Sequence, residues 1–399
     1  MERKRVVKVK RKVRYKIVGV LILCFVVVFL SLVGLLRSFS KYKNNSLPKE
    51  QSITKKKQLQ EYQVKLFMVG DALIHSAIYQ DAKTENGYDF KPMLQYIKPI
   101  SSKYLLAYYN QETILGGSSL GYSNYPRFNS PQEVGDAFID AGFNLVSLAT
   151  NHTMDKGEAG VLNSVAYWKS KEKVVTSGQW ESNESRNKTQ VYQVNGISYA
   201  FFSYTTWTNG LETPTGKEYL NNVYSDEVAK SDIEKVRSLV DFVIVAMHWG
   251  TEYSTGVSSS QEKIASYLSS LGVDLIIGSH PHVVEPVEYI NEGKTFVIYS
   301  LGNFISDQVG DERLTGLMME VTLQKKIDSG QKVTTAILDP KAELIYTKSD
   351  YSRKRNFRVY PYSSLDNTIL SNYRSYYEQY KSIVSSRYPE LIWGITGSD

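Results

Sequence analysis

The chain reads as a layered α/β domain behind a single N-terminal membrane-spanning helix. Three observations carry this. From residue 64 onward, short apolar runs of the buried-strand type alternate with segments of helical spacing. The polar motifs fall directly after the apolar runs, at the carboxyl ends of strands, where ligands collect in such folds. Residues 17–36 form an uncharged stretch of 20 residues behind a strongly basic N-terminus, which matches the hydrocarbon core of a bilayer.

Residues 1–16 carry nine Lys/Arg against the single Glu2, so the positive-inside tendency places this tail in the cytoplasm and the main domain outside the cell. The apolar run is too long and too even for an ordinary signal peptide, and no small-residue cleavage site follows it; a removed signal sequence is the alternative. Residues 37–63 are polar and Lys-rich and read as a stalk. Residues 1–65 hold 17 Lys/Arg and 3 Asp/Glu, a charge of +14; the chain totals +6, so residues 66–399 carry −8. The basic character is therefore a membrane signal and gives no support for nucleic-acid binding. Cys24, the only cysteine, lies in the span. The outer domain then has no disulfide and no Cys-rich structural zinc site.

The globular part is expected over 64–345. Its first strand is 64–69, ending at Gly70-Asp71, and 103–108 leads to Asn110-Gln111-Glu112. A helix over 131–141 precedes the strand 143–148 and the motif Asn151-His152. Residues 158–170 form a helix and 196–203 a strand. A polar helix, 226–239, precedes the strand 241–246 and His248. A helix over 261–271 precedes 273–277 and His280, and 295–299 leads to Ser300-Leu301-Gly302-Asn303-Phe304. Residues 346–399 form a Tyr-rich extension whose helix, 365–384, packs on the domain by its i, i+4 apolar pattern.

All five histidines, His75, His152, His248, His280 and His282, sit in these strand-end motifs. Imidazole, carboxylate and carboxamide together suit a borderline divalent metal. In Gly278-Ser279-His280-Pro281-His282, two imidazoles one residue apart project to the same side of an extended segment, which Pro281 stiffens. Asp155 is placed to orient His152, as carboxylates beside metal-site histidines do; capping of a helix is the competing role. Trp249 is read as a cleft wall. Glu252 reads equally as a supporting carboxylate or a surface charge, and Ser300 and Asn303 as shaping the cleft floor.

Gly70-Asp71, Asn110-Gln111-Glu112, Asn151-His152 with Asp155 and Gly157, His248-Trp249-Gly250 with Glu252, the Gly278–His282 motif and Ser300–Phe304 resemble the CapA family of bacterial capsule or poly-γ-glutamate synthesis proteins. The likeness spans about residues 64–310, and the family's domain belongs with the calcineurin-like metallophosphoesterases. It implies a four-layer α/β/β/α sandwich with a centre for two divalent ions (Mn, Zn or Fe). By matching position, the ligands are Asp71, Glu112, Asn151, His248, His280 and His282. His152 faces the substrate and protonates the leaving group. The implied setting is the cell membrane, with other capsule or polyglutamate synthesis and export subunits as partners, and an anionic polymer or phosphoester as substrate. Two positions depart from the wider pattern. Leu73 stands where the superfamily has His, so a ligand role for His75 is open, and Glu112 replaces a bridging Asp.

Overall fold

The computed structural model describes residues 2–43, 59–350 and 352–395. Two compact units are present, Met1–Gln58 and Leu59–Asp399. The first unit contains one long helix, Glu2–Lys43. Its segment Val18–Ser38 is long and apolar enough to cross a membrane; a signal sequence meets the same criterion. The expected stalk lies outside the described residues over 44–58.

The second unit is built on two sheets. Its strands are β1 Gln60–Ala72, β2 Lys83–Thr84, β3 Gly87–Tyr88, β4 Leu106–Asn110, β5 Leu145–Ser147, β6 Val175–Ser177, β7 Tyr192–Val194, β8 Ile197–Thr205, β9 Phe242–His248, β10 Leu275–Ser279, β11 Val287–Ile290, β12 Thr295–Ile298, β13 Asn303–Ile305, β14 Thr315–Ile327, β15 Val333–Asp350, β16 Arg355–Pro361 and β17 Ile392–Trp393. The first sheet runs β16-β15-β14-β1-β4-β5-β6, with β13 beside β1 and β17 on β15. The second runs β11-β12-β10-β9-β8-β7, and β2 and β3 form a separate small hairpin. Strands β1, β4, β5 and β6 are parallel, as are β8, β9, β10 and β12.

Side-chain alternation sorts this unit into four layers. Val64, Leu66 and Met68 of β1 face the second sheet, meeting Phe201, Ile244, Ile277 and Ile298 in one core. Phe67 and Val69 face the opposite way, onto Val134 and Phe138 of the helix Glu133–Asp140 and Trp168 of the helix Gly157–Lys169. On the far side, Val243, Val245 and Ile276 pack against Ile233 of the helix Asp226–Val236 and Leu268 of the helix Ser259–Ser270. The order is helix, sheet, sheet, helix. The carboxyl ends of β1, β4, β5, β9 and β10 open onto one edge.

Several elements differ from the sequence reading. The long antiparallel strands β14 and β15 have no counterpart in it. Asp339-Pro340 looks like a turn, but it lies inside β15 at an irregularity where Glu320 pairs with Lys341 and Thr322 with Leu338. A bulge tolerates proline's missing N–H. The C-terminal helix is Tyr373–Val384, not 365–384, because Asn372 takes a left-handed φ of 58° before it. Leu365 and Leu370 are nonetheless buried in the central core, as are Tyr380 and Val384.

Candidate metal centre

Asp71 is the last polar residue of β1, and its neighbours hold it on both sides. It pairs with Asn110 of β4 and with Asn303 of β13. The close fit demands glycine before it, since a Cβ on Gly70 would lie 1.8 Å from the Gly302 carbonyl oxygen. Gly278 meets the same limit, 1.8 Å from the Tyr299 carbonyl oxygen. Asp71 Oδ1 accepts from Asn110 Nδ2 at 2.8 Å and Oδ2 from the His280 N–H at 3.2 Å. Ser147 Oγ in turn donates to Asn110 Oδ1 at 2.5 Å.

Glu112 sits two residues beyond β4 and is buried. Both its carboxylate oxygens lack any hydrogen-bond partner, as does His280 Nδ1. Its Oε1 lies 3.6 Å from His282 Nε2 and 3.8 Å from His248 Nε2. Donor atoms of Glu112, His280 and His282 all fall within 4.8 Å of one another, a cluster that could hold a metal ion. Orphaned buried polar atoms are costly unless something fills the gap between them. Two imidazoles and a carboxylate are a fitting donor set for a divalent cation.

His248 Nε2 contacts Asn151 Oδ1 at 2.9 Å, and its Nδ1 contacts Ser279 Oγ at 3.0 Å. Asn303 Nδ2 is committed to the Arg313 carbonyl at 2.8 Å, so its Oδ1 turns to His282 Nδ1 at 3.0 Å. That contact keeps a hydrogen on Nδ1 and aims Nε2 at Glu112, where a bound cation would replace the proton Nε2 carries in the metal-free protein. Burial, reinforced by neighbouring imidazoles, holds His248 well below its ordinary pKa and lowers His280 to about 3. Both are neutral and able to ligate near pH 7. Burial also opposes charge on His282, but Glu112 and Asp71 outweigh it and raise His282 to about 9. Burial pushes Glu112 well above the carboxylate range, with His282 acting against it.

The His280-Pro281-His282 segment is not extended. His280 has φ 98° and His282 φ 61°, strained values for residues other than glycine. These bring the two rings to 5.9 Å, and His280 to 4.7 Å from His248.

His152 stands beside this cluster in a cleft of about 480 Å³ shared with Asn151 and His282. Its Nδ1 contacts Asp155 Oδ2 at 2.7 Å, and the same oxygen accepts the Phe128 N–H at 2.6 Å. The Phe128 ring meets His152 edge-on at 4.7 Å. Asp155 therefore orients an imidazole and caps no helix.

Other residues sit further out. His75 lies in the cleft wall, with its Nδ1 3.1 Å from the Leu73 carbonyl oxygen and 3.2 Å from the Asp307 nitrogen; its tautomer admits one of the two hydrogen bonds. Glu252 is an exposed rim residue. Ser300 Oγ donates to the Val283 carbonyl at 2.7 Å and accepts from the Gly302 N–H at 3.1 Å, bracing the turn that presents Asn303. Trp249 does not wall the cleft. It is buried in the core beneath the outer helices, donating Nε1 to the Tyr299 carbonyl at 2.9 Å. His248 faces the cleft, so the next side chain points the other way. Asn110 and Ser279 stand in motifs that the sequence offers, but no role for them is read there, and Ser147 lies in no motif. Their position directly at strand ends was the available signal.

A family model described as "Bacterial capsule synthesis protein PGA_cap" matches residues 65–308, more than half of the chain. "PGA biosynthesis protein CapA" of Bacillus subtilis (strain 168) is 25% identical over 266 residues, covering 64% of this chain and 67% of that protein. "Capsule biosynthesis protein CapA" of Bacillus anthracis is 28% identical over 286 residues, covering 68% and 65%. The match thus spans about two thirds of each relative's length. Among solved structures, the calcineurin-like phosphoesterase YfkN from Bacillus subtilis superposes with a TM-score of 0.42 at 13% identity, over 80% of this chain and 99% of that one. Taken over residues 65–308, the chain belongs to the PGA_cap family of bacterial capsule synthesis proteins.

Proposed function

We propose that this is a membrane-anchored capsule-biosynthesis protein whose outer domain carries a divalent-metal phosphoesterase centre. The observation that carries the reading is Glu112, a buried carboxylate with both oxygens unpartnered, facing His282 and His248 beside the equally orphaned His280 Nδ1. Asp71, Asn151 and His248 complete a ligand set for two ions of the Mn, Zn or Fe type. Such ions, when bound, activate water and neutralise charge on phosphoryl oxygens.

The remaining chemistry belongs to the chain. Water oxygen bonds to phosphorus while the bond from phosphorus to the leaving oxygen breaks. His152, held through Nδ1 by Asp155, gives its proton to that oxygen, and the proton lost by the water restores the imidazole. Phe128 fixes both partners of the pair through its N–H and its ring. The anchor places the site outside the cell with the N-terminus in the cytoplasm. There it acts beside other capsule or poly-γ-glutamate synthesis and export subunits; its relatives are named for PGA biosynthesis and capsule biosynthesis.

The test is Mn²⁺-dependent hydrolysis of an aryl phosphodiester by the full chain. Wild type is expected to exceed His152→Ala by about 10²–10⁴-fold, the usual worth of a general acid. Equal rates would contradict the reading. A binding-only role in assembly is favoured by one observation: among the described residues His75 is not one of the donors gathered with Glu112, His280 and His282, which leaves Asp71 as the first motif's ligand. In that case polymer export survives His152→Ala but not His280→Ala.

A further inference from the structure

Four aromatic side chains are strongly exposed among the described residues of the second unit, and three of them line the His152 cleft. They are Tyr125 at 73%, Trp207 at 60% and Tyr253 at 45%; Tyr96 is the fourth. Aromatic faces left in water at one rim mark a binding surface. Tyr253 is also held rigidly. Its φ is 66°, its N–H donates to the Pro281 carbonyl at 2.8 Å, and the Arg313 guanidinium lies 4.2 Å from its ring centre. A tyrosine kept in left-handed backbone beside His282 is strain retained where a ligand would use it.

Trp207 has a further property. It lines both the His152 cleft and a larger one of about 790 Å³. The ridge it stands on is tied to the metal centre, because the Thr206 N–H donates to the His248 carbonyl at 3.0 Å. The Thr205 hydroxyl grips the Trp207 carbonyl at 2.8 Å. A chain passing from one cleft to the other crosses this indole.

The larger cleft is lined chiefly by carboxamides and hydroxyls, such as Asn183, Asn187, Thr208 and Thr213. Its charged residues are four carboxylates, Glu212, Glu218, Glu227 and Asp232, against Arg186 and Lys235. Arg186 and Asp232 neutralise each other in two contacts of 2.9 and 2.5 Å, which leaves Glu212, Glu218 and Glu227 against Lys235. Such a surface repels a polyanion and offers hydrogen bonds to a neutral, hydroxyl-rich chain.

We propose that the substrate is a phosphoester of an extended neutral glycan. The phosphate sits by His152, the adjoining sugar ring stacks on Trp207, and further sugar units run along the larger cleft. The reacting group rests on the phosphoesterase reading above; the sugar contacts do not.

The experiment is calorimetric titration of the full chain in detergent, chelator-treated, with neutral oligosaccharides of hexose and N-acetylhexosamine units. A γ-glutamate hexamer and an oligonucleotide are the rival probes. At least one oligosaccharide is expected to bind. Trp207→Ala is expected to weaken it about tenfold, the scale of one lost stacking face, and Trp207→Phe to restore most of it. No oligosaccharide binding, tighter binding of the γ-glutamate hexamer or the oligonucleotide, or an unchanged Trp207→Ala would overturn the proposal. Binding is read without metal or turnover. Failure here therefore leaves the phosphoesterase reading standing, and failure of hydrolysis leaves this result standing.

Discussion

Replacing Glu112 by Gln separates a metal-ligand role from a structural one. In the metal-free protein the carboxylate is buried with neither oxygen partnered, and burial raises its pKa well above the ordinary range. An unsatisfied buried polar group costs about 1–3 kcal/mol. The isosteric, uncharged carboxamide of the Glu112→Gln variant cannot ionise, so metal-free stability should stay level or rise within that range. With metal the order reverses. Mn²⁺ at about a hundred times its Kd stabilises wild type by about 2.7 kcal/mol. Loss of a supporting partner costs about 10–100-fold in affinity, and a direct ligand at least that. The same Mn²⁺ then stabilises the variant by only about 0.4–1.4 kcal/mol. At roughly 2 °C per kcal/mol for a domain of this size, Mn²⁺ raises the wild-type Tm by about 5 °C and the variant's by about 1–3 °C. Scanning calorimetry of chelated and Mn²⁺-loaded protein reads both numbers. Equal Mn²⁺ shifts in the two proteins would refute the reasoning, as would a metal-free variant far less stable than wild type.

Three further outcomes are expected. Asp155→Asn should lower kcat by at least about tenfold, within the general-acid range, because His152 loses its orienting carboxylate; bound metal measured by elemental analysis should not change. His75→Ala should also leave metal content unchanged, since among the described residues His75 is not one of the donors gathered with Glu112, His280 and His282; a loss of one ion per chain would make it a ligand. Burial pushes Glu285 up to about 8, against the Gln261 hydrogen bond. Its folded pKa is raised, so its contribution is full below pH 4.5 and is lost as pH rises through 8. Glu285→Gln should flatten the pH dependence of urea unfolding in that window, where the slope from this group is at most about 1.4 kcal/mol per pH unit; an unchanged slope counts against it.

Much of the centre was legible because β-strand grammar exposes it. Apolar runs ending in Gly70-Asp71 or Gly278-Ser279-His280 mark both a strand and the place where its polar residue emerges. What stayed hidden depended on long-range pairing. Asn110 holds Asp71 across two strands, yet in sequence it is one more polar residue after an apolar run. The β14–β15 ladder was masked by Asp339-Pro340, which only its partner strand turns into a bulge. Trp249 lies in the core and not on the cleft wall, because the alternation that aims His248 into the cleft sends the next side chain the other way. The left-handed His280 and His282 follow from closure of the site and leave no trace in residue type.

Elemental mass spectrometry on the purified full chain, wild type beside His280→Ala, is the most direct measurement. About one to two divalent ions per wild-type chain, with the variant largely depleted, is the expected result. Wild type that cannot be loaded with stoichiometric Mn, Zn or Fe would contradict the assignment of these converging imidazoles and acids to a metal centre.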